Sequence, residues 1–132
     1  MRILLLMTAC FLISVSLLSQ NTIQVSGSTG TTTWTSNNTY ILSDYVFVES
    51  GQTLTIEPGT IVKGAPGSGV DASALIVSKG GQLMADGTAA APIIFTFEGD
   101  PLDGSVAYDT RGQWGGIIIL GNATTNFGGP AQ

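Results

Sequence analysis

Histidine is absent from this chain, and only one of its 132 residues, Cys10, is a cysteine. Without imidazole the Ser-His-Asp and Cys-His arrangements that activate a nucleophile cannot be assembled, and the usual His-bearing zinc sites fall with them. Cationic side chains are scarce too, with four Lys and Arg against nine Asp and Glu. Nucleic acid and anionic lipid are held through clustered Lys and Arg, so neither is an expected partner. Long apolar runs are also missing, apart from the stretch Ile3 to Leu18 near the start.

That stretch is shorter than the ~20 residues a membrane-spanning helix needs. Arg2 precedes it and Ser14, Ser16 and Ser19 supply small residues, the layout of a secretory signal peptide. Residues 1–19 are therefore expected to be removed near Ser19-Gln20, leaving no membrane span. The competing reading is a lipoprotein signal at Met7-Thr8-Ala9-Cys10. Cleavage at Ser19 would remove the only thiol, so the mature chain would form no internal disulfide. Its remaining cations are Lys63, Lys79 and Arg111 against all nine acidic residues, a strongly negative surface that favours solubility.

What is present is a repeat. Gly51 to Gly64 reads GQTLTIEPGTIVKG, and Gly80 to Phe97 reads GGQLMADGTAAAPIIFTF. Val48, Gly51 and Leu54 recur 29 residues later as Val77, Gly80 and Leu83, while Gly59-Thr60 recurs after 28 as Gly87-Thr88. Such a period, built from short strands, is the signature of a solenoid. Leu54 and Ile56 alternate with Thr53, Thr55 and Glu57, which suits a strand with one dry face. Pro58-Gly59 supplies a corner, since Pro presets its φ and Gly accepts values other residues avoid. The continuous runs Ile93 to Phe95 and Ile117 to Leu120 fit parallel strands buried on more than one side.

The run LTIEPGTIVKG, then DASALIVSKGGQLMADGTAAAPIIFT, then RGQWGGIIILGNA, resembles the N-terminal part of a largely uncharacterised group of secreted, Bacteroidetes-type parallel β-helix proteins. The resemblance implies an all-β, right-handed parallel β-helix exported to the surface or surroundings of a Gram-negative bacterium. It carries no agreed activity. The expected organisation is a signal peptide at 1–19, a linker and N-terminal cap at 20–43, and about two and a half coils at 44–132. Because stacked repeats usually need about three units to bury a continuous core, the segment reads as part of a longer chain.

Two groups carry candidate chemistry. Glu98, Asp100 and Asp103, with Gly99 and Gly104 between and beside them, offer carboxylate oxygens for calcium. Their alternative is an exposed acidic loop that keeps a strand edge from pairing with a neighbour. Trp34 and Trp114 are candidate carbohydrate-stacking residues, the alternative for Trp34 being core packing. The glycines of 65–73 lack the order of a phosphate-binding loop and any following helix. An exported structural or adhesive protein that binds a polysaccharide or cell-surface glycan is the reading these residues favour. Its rival is a fragment of a polysaccharide lyase or hydrolase, with Asp100 and Asp103 on the metal and Arg111 or Lys63 as the base, a scheme supported by fold analogy alone.

Overall fold

The computed structural model describes residues 20–121. The expected signal segment, with Cys10, and residues 122–132 lie outside the described residues. Among the described residues nine strands follow one another with almost no helix: β1 (Asn21–Ser28), β2 (Thr32–Trp34), β3 (Asn38–Val48), β4 (Thr53–Ile56), β5 (Ile61–Gly64), β6 (Ala74–Val77), β7 (Gln82–Met84), β8 (Ile94–Phe97) and β9 (Ile117–Ile119). A three-residue 3-10 turn, Gly69–Asp71, is the one helical piece among the described residues.

Every strand pairing is parallel, and the pairings form three ladders. The first stacks the front of β1 on the front of β3, then β5, then β8 (Asn21↔Asn38, Thr39↔Ile61, Ile61↔Ile94). The second stacks the back of β1 on the back of β3, then β6, then β9 (Phe47↔Ile76, Ile76↔Ile118). The third stacks β2, β4 and β7 (Leu54↔Leu83). The chain visits the ladders in the same order on each pass, and parallel neighbours about 4.8 Å apart need such a return path. Strand β3 serves two ladders because it bends: Leu42 pairs with Gly64 on one side of Ser43-Asp44, and Tyr45 pairs with Ala74 on the other. The β1 partner accommodates this with a register shift between Val25 and Gly27.

Period two then puts alternate side chains inside. Val46, Val48, Leu54, Val62 and Leu75 are fully buried, Ile56 nearly so, and Leu83, Ile93, Phe95 and Trp114 pack against them from the side. The two buried polar residues among those described are both satisfied: Thr60 Oγ1 donates to the Glu57 carbonyl at 2.7 Å and Ser73 Oγ to the Ala65 carbonyl at 2.6 Å. Corners stack as strands do. Gly51 and Gly80, at φ 81° and 84°, occupy the same position in successive turns, and the Gly51 amide donates to the Gly80 carbonyl at 2.9 Å. Only glycine takes that φ without strain.

The structure pairs Val48 with Val77 and Leu54 with Leu83, as the 29-residue repeat requires. It does not align Gly87-Thr88 with Gly59-Thr60. Ile61 pairs with Ile94, 33 residues on, so four residues are inserted here rather than one lost. The insertion closes on itself: the Thr88 and Ala91 amides each donate to the other's carbonyl, at 3.1 and 3.2 Å. Residues 20–43, expected as linker and cap, contribute β1, β2 and the front of β3 to the ladders, and the 43/44 boundary falls at the bend inside β3. The loop 65–73 leaves the ladders, with Val70 exposed, although the Tyr45 hydroxyl holds it by donating to the Gly69 carbonyl at 2.9 Å.

Candidate functional site

The first candidate grouping grows from the outward faces of β5 and β8. Lys63 pairs in register with Thr96, and both point away from the core because Val62 and Phe95 point toward it. The chain turns back over them just after β8. Lys63 Nζ donates to the Asp100 carbonyl at 2.5 Å and, more distantly, to the Glu98 carbonyl at 3.5 Å. Thr96 Oγ1 donates to Asp100 Oδ2 at 2.6 Å, while Asp100 Oδ1 accepts from the Leu102 amide at 2.8 Å. The Thr96 hydroxyl foremost, then the Leu102 amide, hold the Asp100 carboxyl below its ordinary range, with Lys63 adding charge attraction. Leu102 sits at φ 62°, a strained value for a branched residue, and the Asp100 contact helps to hold it there.

Among the described residues the side chains of the remaining predicted residues make no hydrogen bond to Asp100. Asp103 Oδ1 accepts from the Ser105 amide at 2.9 Å, and that serine foremost lowers its pKa. Glu98 is exposed, and among the described residues no group of three or more acidic, His or Cys side chains could hold a metal ion. Glu98, Asp100 and Asp103 are thus neighbours in sequence without forming a cage. Arg111 is exposed, its Nε donating locally to the Asp109 carbonyl at 3.2 Å.

The two tryptophans have different places. Trp34 is 4% exposed and stacked on Tyr40, with ring centroids 4.6 Å apart and planes 13° from parallel. That ring lies in the core, and its face is taken by Tyr40 rather than left for a sugar. The Tyr40 hydroxyl in turn accepts the Thr35 amide at 2.9 Å. Trp114 is half-buried against the core, over Gly64.

A second site was not anticipated. On the third ladder Leu54 and Ile56 point inward, so Thr55 and its register partner Met84 point outward. Two residues on from each, just past the ends of β4 and β7, Glu57 and Asp86 are exposed and border the same groove. Together with Ile56 and Pro58 these four line an open, largely apolar cavity of about 230 Å³. Glu57 Oε2 accepts weakly from the Ser36 amide at 3.4 Å. Met84 is 51% exposed, a large apolar side chain left on the surface of a groove. The signal for this pair lay in the repeat, because Glu57 and Asp86 are separated by the same 29 residues as Leu54 and Leu83.

No curated protein and no solved structure matches the sequence. Residues 26–132 match the family model described as a pectate-lyase like beta helix domain. The match spans all three ladders and most of the chain, and the parallel pairing of β1 to β9 is what such a domain requires. The chain belongs to the pectate-lyase like beta helix domain family.

Proposed function

We propose that this chain is an exported, non-catalytic β-helix scaffold of the bacterial surface or its surroundings, adhesive in role and binding carbohydrate on its outer face. The winding is right-handed, the hand that parallel crossover connections almost always take. The order of the paired strands supports a winding of three passes through the ladders and the start of a fourth. The observation that carries the non-catalytic reading is the engagement of Lys63 and Asp100. The ammonium group and carboxylate that could have served as base and metal ligand are spent fastening the turn after β8 to β5. Export is supported by the composition of residues 1–19.

The rival reading, a polysaccharide lyase or hydrolase fragment, is favoured by the family's likeness to pectate lyases. Polygalacturonate incubated with the purified protein across a calcium series separates the two. The scaffold releases no unsaturated sugar at any calcium concentration. Calcium-dependent release that is lost in Lys63→Ala or Arg111→Ala overturns it.

A further inference from the structure

The groove of the third ladder combines an apolar floor with charge of one sign. Met84 and Pro58 present exposed apolar surface, Thr55 brings a hydroxyl, and Glu57 and Asp86, just past the ends of the paired strands β4 and β7, line the same groove. Among the described residues no Lys or Arg lines it. Lys63 is committed to the turn beyond β8 on another ladder.

From this geometry we infer that the groove takes one ring of an amino-sugar chain bearing free amines, a cationic polysaccharide, and rejects uronates. The inference rests on the carbohydrate-binding reading above and names its ligand class. Sugar rings have apolar C–H faces that suit the Met84 and Pro58 surface, since small-ligand sites are mostly apolar with a few placed polar groups. A protonated amine on the ring faces the Glu57 and Asp86 carboxylates, beside which no Lys or Arg lines the groove among the described residues. A uronate in the same position would set a third carboxylate against those two, and like charges at this range repel. The volume, about 230 Å³, falls below the ~300–1,000 Å³ of a site for a drug-sized molecule, so one ring is held while the chain runs on along the solenoid.

The test is titration calorimetry of the purified protein, in mildly acidic buffer, with three oligosaccharides of equal length: fully deacetylated glucosamine, N-acetylglucosamine and galacturonate. Glucosamine oligomer binds, and raising salt weakens it, because the groove is open and screening acts within about 8 Å at physiological ionic strength. Asp86→Asn and Glu57→Gln each weaken binding about two- to fivefold, the range an exposed ion pair commands. Met84→Lys, which puts a cation on the floor, abolishes it. Urea midpoints confirm that the variants are folded, and these outward positions carry little of the core. Equal binding of the acetylated oligomer with no effect of the variants refutes the cationic ligand but leaves carbohydrate binding standing. Galacturonate binding refutes it in the same way. No binding of any of the three oligomers sinks both.

Discussion

Gly64 is where one methyl group does the most damage. In the first ladder the inward column runs Val25, Leu42, Gly64, Phe97, so Gly64 is the one position that sends no side chain into the core. Trp114 fills the gap. A Cβ placed on Gly64 would lie 2.5 Å from Trp114 Cε3 and 2.7 Å from its Cβ, about 1 Å inside the 3.5–4.0 Å of an ordinary carbon contact. The strand cannot yield, because it is fastened on both sides: the Ala65 amide donates to the Leu42 carbonyl and the Glu98 amide to the Gly64 carbonyl, both at 2.8 Å. Since the Trp114 Cβ is itself too close, a rotation of the ring does not relieve the clash. Overpacking of this kind costs about 1–3 kcal/mol. Gly64→Ala should therefore lower the urea midpoint, and the tryptophan emission should shift to the red as the indole of Trp114 moves into water while Trp34 stays buried. In a Trp114→Ala background the added methyl should cost far less, a coupling that a double-mutant cycle measures directly. Unchanged stability and emission in Gly64→Ala, or costs that simply add, would refute the packing of Trp114 on this glycine.

On the third ladder, Leu54→Ala should destabilise by about 2–5 kcal/mol through its cavity, whereas Thr55→Ala next to it should change stability by well under 1 kcal/mol, both read from urea titration. Similar losses from the two would mean that the inward and outward faces are reversed. The Asp100 carboxyl, lowered in the folded chain mainly by the Thr96 hydroxyl, contributes stability that is complete above the unfolded value near 3.9 and is lost as pH falls through its folded value. Acid titration followed by Trp114 emission should thus show the turn after β8 loosening below about pH 4, and Thr96→Val should move that transition to higher pH. A transition unmoved by Thr96→Val would show that Asp100 is not what titrates. Lys63, which pulls the carboxyl down, and Asp103, which pushes it up, are the charged groups acting on Asp100.

How much of this was legible in the sequence depended on burial. The pairs Val48 with Val77 and Leu54 with Leu83 lie at the centre of the stack, where both neighbours demand an apolar side chain, and the 29-residue repeat exposed them. Strand β1 left no such trace: only Val25 of its eight residues is even partly buried, so its composition was free to resemble a linker. Gly87-Thr88 looked like the Gly59-Thr60 corner because both are turns, but backbone hydrogen bonds rather than turn residues set the register, and they bring Ile94 against Ile61. The acidic segment at Glu98 to Asp103 stands out in the sequence by its charge. Its meaning was not readable, because Lys63 and Thr96 reach Asp100 from strands that only the fold makes adjacent. Trp34 was ambiguous for a similar reason, since its partner Tyr40 comes from the next pass of the chain.

The account turns on Lys63 and Asp100 being part of the scaffold rather than groups presented for chemistry, and limited digestion with trypsin, read by intact mass, tests this most directly. The chain offers four sites, Arg2, Lys63, Lys79 and Arg111. Lys63 lies within β5, hydrogen-bonded between β3 and β8 and fastened at its ammonium, whereas Arg111 lies in an exposed loop. A protease needs a locally opened backbone, and opening β5 means opening the core. The native protein should be cut first at Arg111, and at Lys63 only under conditions that unfold the whole chain. Asp100→Asn should speed the cut at Arg111 while Lys63 stays protected. Early cleavage at Lys63 in the native protein, with Arg111 intact, would contradict the account.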